Sequence, residues 1–179
     1  MGILRRIFGA DTTTDVLEIL TAQHTEVDEL LEMLVNDGGD RKALFTELAN
    51  NLAAHATAEE KVFYPAIMAK EIKDMLNEAV EEHLAIKRIL ADLLTMKLDT
   101  EGFKAKLHVL KEQVSHHAHK EEEDELFPKV KDAFSSDERA AIGNDYLVMF
   151  TELMATNAYL NLPSETTRAA ELDPPASAR

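Results

Sequence analysis

Four long stretches of the chain repeat apolar residues every three or four positions, and each of them carries a histidine within its apolar stripe. The first stripe contains Leu17, Leu20, His24, Val27 and Leu31. This spacing places the side chains on one face of an α-helix and differs from the strict alternation of a half-buried strand. The sequence has no strand or hairpin pattern, so it predicts an all-α fold built from long amphipathic helices.

Short breaks separate these four stretches. Residues 36–40 read Asn-Asp-Gly-Gly-Asp and are expected to end the first helix. Pro65 is expected to end or bend the second helix near Tyr64, and a weaker break at 97–102 separates the third helix from the fourth. Long helices joined by short turns are typical of antiparallel neighbours. The sequence therefore predicts an up-down-up-down four-helix bundle over residues 14–133.

The segments outside this bundle are expected to differ from it. Residues 1–13 are interpreted as an N-terminal arm whose apolar part is too short for a signal peptide. Ser135 offers a helix cap, and residues 134–160 are predicted to contain an additional, shorter helix. Residues 161–179 are rich in Ser, Thr, Ala and Pro and are predicted to be an extended or disordered tail.

The composition narrows the classes of function. The chain has 179 residues and a formal net charge of −15, which would repel a phosphate backbone and argues against a nucleic-acid partner. No apolar run approaches the roughly 20 residues that span a bilayer, so we expect a soluble cytoplasmic protein without a membrane span. Because the chain contains no cysteine, any metal has to be held by His, Asp or Glu, which suits iron, manganese or zinc.

Two His-x-x-x-Glu pairs point to such a metal. His55 and Glu59 are one helical turn apart, as are His117 and Glu121, and each pair precedes an aromatic residue and a proline. A single histidine in an apolar stripe is usually a hydrogen-bonded core residue. A carboxylate, however, is seldom buried without a partner, because removing its charge from water costs several kcal/mol. With one more histidine in each remaining helix, the set predicts a pair of divalent metal ions inside the bundle.

These residues resemble those of the hemerythrin-like proteins with the HHE cation-binding domain. The resemblance covers residues 14–133 and is carried by His24, by Glu82 with His83, and by two longer motifs. These motifs are His-x-x-x-Glu-Glu with Phe-Tyr-Pro at 55–65, and Val-x-His-His with Glu-Glu and Leu-Phe-Pro at 114–128. The resemblance implies a non-heme centre of two iron ions, with terminal histidines and two glutamates that bridge the irons beside an oxo or hydroxo group. Iron is favoured over manganese or zinc, and the implied ligands are His24, His55, Glu59, His83, His117 and Glu121.

The carboxylate of the second pair has two candidate positions. A proline lies six residues after Glu59 in the second helix but seven residues after Glu121 in the fourth. Alignment from the helix start selects Glu121, whereas alignment back from the proline selects Glu122 and places Ala118 at the histidine position. We therefore expect Glu121, while a local π-bulge would absorb the extra residue and present Glu122 instead.

The other polar residues near the motifs are assigned to the surroundings of the site. Tyr64 is interpreted mainly as an aromatic residue that fills the end of the bundle. The remaining histidines are expected at the surface or around the ligands, and the remaining acidic residues on a solvated face. These residues are His108, His116, His119, Glu60, Glu123, Asp124 and Glu125.

The resemblance implies a protein that binds iron and a small oxidant or gas, namely dioxygen, nitric oxide or peroxide, for sensing, scavenging or iron handling under stress. Oxygen-carrying members have a further histidine where this chain has Lys87, four residues after His83, so six protein ligands leave more open metal positions here. A diiron enzyme that consumes peroxide or nitric oxide is the alternative, with Tyr64 or His116 as the nearby proton donor. A helical bundle without metal is the third hypothesis.

Overall fold

A computed structural model describes residues 14–36, 38–68 and 72–172. Within these ranges every regular element is a helix, which confirms the all-α fold class. The predicted arm at 1–13 and the last part of the predicted tail, 173–179, lie outside the described residues. The helices are α1 (Val16–Val35), α2 (Arg41–Ala58, Glu59–Phe63 and Tyr64–Ile67), α3 (Lys73–Thr95), α4 (Glu101–Ser115, His116–Leu126 and Phe127–Ala133) and α5 (Ser136–Ala155), followed by a short 3-10 helix (Ala158–Ser164).

Polar side chains fix where the helices begin. The first backbone N–H groups of a helix have no partner within it, and a side-chain oxygen just before the helix can accept from them. Asp15 accepts from the N–H of Leu17, and Asp40 plays the same role for α2. Ser135 begins α5 with a capping box, in which Glu138 bonds back to the backbone of Ser135. The cap predicted at Ser135 is therefore present.

Helices α1 to α4 form the bundle around one apolar core. The helix α1 packs against α2 and α4, and α3 packs against α4. The apolar stripes read from the sequence face inwards, since Leu20, Leu31 and Leu34 of α1 are fully buried. Burying such side chains supplies most of the free energy that stabilises a helix in a protein.

Both α2 and α4 contain a π-helical segment immediately before a proline. In these segments the backbone bonds span five residues: the N–H of Tyr64 donates to the carbonyl of Glu59, and that of Phe127 donates to the carbonyl of Glu122. A proline cannot donate an N–H, and its ring crowds the carbonyl four residues earlier. The wider turn accommodates Pro65. Of the two predicted outcomes, an end or a bend near Tyr64, the helix therefore does not end there but continues to Ile67 after the π-helical distortion.

The fifth helix packs across the bundle, against α1 and α2. Gly143 of α5 permits close contact, because a Cβ at this position would lie 1.9 Å from the backbone oxygen of Thr14.

After α5 the chain does not become extended at residue 161 as predicted. The 3-10 helix Ala158–Ser164 packs on α2 and α3 instead, and Leu162 is buried. Among the described residues, no helix is long and apolar enough to cross a membrane.

The close approach at Gly143 gives a test of how α5 is attached. We expect Gly143→Ala to lower the free energy of unfolding by about 1–3 kcal/mol, because the added methyl group meets backbone that cannot rotate away. Chemical denaturation followed by circular dichroism measures the change.

Gly102→Ala is the matched control, because its Cβ meets only the flexible end of Met96 in the first turn of α4. Its effect should be no larger than about 1 kcal/mol and stabilising, since alanine favours helix more than glycine does. Equal stability of both variants would contradict the packing described for α5.

Candidate metal centre

Six buried ionisable side chains from the four bundle helices converge at one level of the core. Each has at most 6% of its surface exposed, although isolated groups of this kind are rarely buried. They form two overlapping groups whose potential ligand atoms lie within 4.8 Å of one another. One group is His24, His55, Glu59 and Glu122, and the other is Glu59, His83 and His117.

The carboxylate of Glu59 lies between the two groups. Its Oε2 atom is 3.2 Å from Nε2 of His55 and 3.3 Å from Nε2 of His83. The second carboxylate, Glu122, places Oε2 3.2 Å from Nε2 of His24 and 3.9 Å from Nε2 of His117. Each glutamate therefore lies close to one histidine on either side of the cluster.

The structure brings five of the six predicted ligands together but not Glu121. The π-helical segment His116–Leu126 adds one residue to the turn, so side chains five positions apart lie side by side. Glu122 therefore lies beside His117 and is 1% exposed. Glu121 lies outside, with its Oε1 atom 3.2 Å from Nε2 of His116. The expected α-helical register is thus corrected to the alternative register, in which a π-bulge presents Glu122.

The outer nitrogen of each core imidazole is held by a side-chain oxygen. Carboxylates and the oxygen of an amide only accept hydrogen bonds, so Nδ1 of each ring is the donor and Nε2 presents a lone pair to the core. Such outer partners are typical of histidines that bind metals. The four bonds are His24 to Glu123 at 2.7 Å, His55 to Gln23 at 2.7 Å, His83 to Glu60 at 3.1 Å and His117 to Glu82 at 2.7 Å.

This arrangement leaves acceptor atoms facing one another in the core. The Nε2 atoms of His83 and His117 are only 2.9 Å apart, which requires a shared proton or a cation between them. Among the described residues, Nε2 of His24, both oxygens of Glu59 and Oε2 of Glu122 are buried without a hydrogen-bond partner. Leaving such an atom unpaired costs about 1–3 kcal/mol, so the side chains fit a site for cations.

The pKa values reflect the same crowding. Burial raises the pKa of Glu59 well above its usual value, and the charge of Glu122 adds to this effect. Burial also acts to raise the pKa of Glu122, but His117 and His24 outweigh it and hold that pKa well below its usual value. Burial alone would lower the pKa of His24, yet the neighbouring carboxylates of Glu122 and Glu123 raise it to about 9. Protons are thus retained in the core where cations would otherwise balance the carboxylates.

Two residues assigned to a solvated face take part in the site. Glu60 is buried and contacts His83, and its other oxygen is 2.7 Å from the buried Nζ of Lys87. Glu123 is half-buried and bonds to both His24 and His119. The sequence did contain a signal for this role, because each motif has a second glutamate directly after the buried one. Consecutive residues of a helix point in different directions, so the second carboxylate can reach the outer side of a ligand on a neighbouring helix.

Tyr64 also belongs to the site and is completely buried. Its hydroxyl donates to Oε1 of Glu122 at 2.9 Å and lies 3.4 Å from Nε2 of His83. Burial raises the pKa of this phenol well above its usual value, so it stays protonated at neutral pH. Tyr64 is therefore a hydrogen-bond donor to the cluster as well as an aromatic residue that fills the bundle.

A small cavity lies beside the imidazole rings, with a volume of about 20 Å³. A volume of this size holds roughly one water molecule. Apart from the four histidines its lining is apolar, and comprises Val27, Leu52, Ala56, Ile86, Val114 and Ala118.

Comparisons with known proteins bear on the family and the fold of this chain. The family model described as the hemerythrin HHE cation binding domain matches residues 15–130. A solved structure of a hemerythrin HHE cation binding domain-containing protein from Mycobacterium kansasii is similar, with a TM-score of 0.70 and 22% identity. The similarity covers 85% of this chain and 94% of that one, and at this identity it supports the fold alone.

A curated relative matches this chain over only part of its own length. The protein named DNA nickase from Nostoc sp. (strain PCC 7120) is 26% identical over 126 residues, which are 69% of this chain. The match spans about a third of that relative's length, 36%.

The different positions of the two neighbouring glutamates can be tested directly. We expect Glu122→Gln to lower the amount of metal that copurifies with the protein by at least about tenfold, because it removes a buried carboxylate from the cluster. Glu121→Gln should retain the metal content of the unmodified chain, since this side chain lies outside the core cluster. Elemental analysis measures the metal content of both variants. Loss of metal in Glu121→Gln but not in Glu122→Gln would support the α-helical register instead.

Proposed function

Because the chain belongs to the hemerythrin HHE cation binding domain family, we propose that its core holds two non-heme iron ions that bind a small oxidant or gas. His24, His55, His83 and His117 would supply nitrogen ligands, and Glu59 and Glu122 would bridge the ions. When bound, the irons supply reversible binding and redox chemistry for a diatomic molecule or peroxide. The proposed role is sensing, scavenging or iron handling under stress, without a nucleic-acid partner.

The observation that carries this proposal is the set of inward-facing acceptor atoms. Four imidazole lone pairs and two carboxylates meet in a volume from which water is largely excluded. One divalent cation would already balance the two carboxylate charges. Two cations that share Glu59 are favoured instead by the two overlapping groups of ligand atoms. Mixed imidazole and carboxylate donors inside a helical bundle suit iron or manganese better than zinc, which prefers a single four-coordinate site.

The cavity supports a small and uncharged ligand. Its walls combine the imidazole faces with aliphatic side chains, so a bound molecule finds few hydrogen-bond partners there. An anion or a larger organic molecule would lose its hydration without replacement. Dioxygen and nitric oxide meet both limits of size and polarity.

A second candidate function is the catalytic consumption of peroxide or nitric oxide. The observation that favours it is the hydroxyl of Tyr64, which is buried in the core and donates to Glu122 at 2.9 Å. A positioned donor of this kind can deliver a proton to a reacting molecule. Tyr64 replaces His116 as the favoured donor, since His116 is more than half exposed.

Iron-loaded protein provides the decisive test of this function. We expect about two irons per chain and near-ultraviolet absorption bands that change when nitric oxide or peroxide is added anaerobically. Glu59→Gln is the control, because it removes the carboxylate common to both groups of ligand atoms and should abolish the bands. A colourless protein that binds no metal, unchanged after anaerobic incubation with ferrous iron, would refute the proposal.

The cavity leads to a separate prediction about access of the ligand. Ala118→Val should slow or weaken nitric-oxide binding to iron-loaded protein by about tenfold or more, because the added methyl groups occupy the cavity. Stopped-flow spectroscopy measures the rate. Ala79→Val is the matched control, since Ala79 is buried in α3 but does not line the cavity. Unchanged binding by the Ala118 variant would show that the ligand does not use this space.

A further inference from the structure

One of the four core histidines differs from the others in its outer partner. His24, His83 and His117 each donate Nδ1–H to a carboxylate. A carboxylate can only accept, so it determines by itself which ring nitrogen carries the proton. His55 instead faces the side-chain amide of Gln23, whose Oε1 atom lies 2.7 Å from Nδ1.

An amide does not fix the tautomer of a histidine alone. Rotated by half a turn, the Gln23 side chain would present its NH₂ group to Nδ1. The proton of His55 would then move to Nε2, the atom that faces Glu59 at 3.2 Å, and Nε2 could no longer bind a metal. In the observed orientation Nε2 of Gln23 is buried without a hydrogen-bond partner among the described residues. The amide group therefore has no hydrogen bond of its NH₂ that would stabilise this orientation.

A phenol from the fifth helix favours the observed orientation, because in the rotated one its hydroxyl and the NH₂ group of Gln23 would compete for the single lone pair of Nδ1. The hydroxyl of Tyr146 donates to Oε1 of Gln23 at 2.7 Å, and its oxygen lies 3.3 Å from Nδ1 of His55. Tyr146 is fully buried and stacks on Phe150 of the same helix, which holds the ring in place.

We propose that Tyr146 is a positioning residue for the metal centre: it orients the amide of Gln23, which keeps Nε2 of His55 free to bind a metal. Tyr146 acts through Gln23 and is not itself a ligand. The residue lies in α5, outside residues 15–130 that match the family domain. The fifth helix thereby completes the site of the bundle on the side of His24 and His55. This inference rests on the proposed function, since it assumes that the core binds metal.

The structure predicts an unequal effect of this residue on the two metal positions. His55 belongs only to the group with His24, Glu59 and Glu122, and the other group contains neither His55 nor a residue bonded to Tyr146. Loss of the hydroxyl should therefore weaken one bound metal and leave the other almost unchanged. A general loss of packing would weaken both.

The experiment is an anaerobic titration of the full chain with Co²⁺, followed by visible absorption that resolves the two binding steps. Tyr146→Phe should weaken one step by about 10–100-fold, the usual effect of losing an outer partner of a ligating histidine. The other step should change by no more than about threefold. Tyr159→Phe, a half-buried tyrosine after α5, is the control and should titrate like the unmodified protein.

The double variant Tyr146→Phe with Gln23→Glu separates positioning from packing. A glutamate at position 23 accepts from Nδ1 of His55 in either orientation, so it should restore the weakened step without the phenol. A packing role predicts no rescue, because the variant adds a buried charge to an already disturbed core.

Three results would overturn the inference: unchanged titration of Tyr146→Phe, equal weakening of both steps, or no rescue by Gln23→Glu. If the unmodified chain binds no Co²⁺ at all, the metal centre itself is refuted together with this role of Tyr146. Two binding steps in the unmodified chain that Tyr146→Phe leaves intact would refute the role of Tyr146 alone.

Discussion

The structure depends on one electrostatic constraint: acceptor atoms face one another in its core and need protons or cations between them. Two carboxylates and four imidazole nitrogens lie at contact distance where little water can reach them. A hydrophobic core of the same volume would avoid this cost, so the polar cluster is poorly explained by stability alone. Protons on His24 and Glu59 can relieve part of the repulsion, which is the meaning of their raised pKa values. Cations can relieve it more completely, because one cation contacts several acceptors at once.

The two π-helical segments determine which side chains of α2 and α4 face the core cluster and which face outwards. In α4 the wider turn brings His117 beside Glu122 on the inner side and His116 beside Glu121 on the outer side. In α2 the shorter segment begins at Glu59 itself, so the spacing of four residues from His55 is kept. The extra residue of α4 lies between His117 and Glu122, since Glu59 and Glu122 are each six residues before a proline. Ligand register in this bundle therefore follows the backbone bonding as much as the sequence spacing.

This dependence decides what the sequence alone can predict. The apolar stripes and caps depend on local chemistry, so the helices and the inward direction of His24, His55, His83 and His117 follow from the sequence. The choice between adjacent glutamates depends on a five-residue backbone bond, which neither residue encodes by itself. The outer partners of the histidines are harder to predict, because Glu82 and Gln23 contact histidines on other helices. Tyr146 lies 91 residues from the histidine that it approaches, and only the packing of α5 brings them together.

The outer partners also give the centre an internal asymmetry. Where a carboxylate holds the imidazole, its negative charge strengthens the nitrogen as a ligand and stabilises a more highly charged metal. His83 and His117 both have such partners, although Lys87 balances part of the charge of Glu60. His55 has only a neutral amide and a phenol, so its ring donates less electron density. Two metals bridged by the same glutamates would therefore meet different surroundings, and the difference originates in Gln23 of α1 together with Tyr146 of α5.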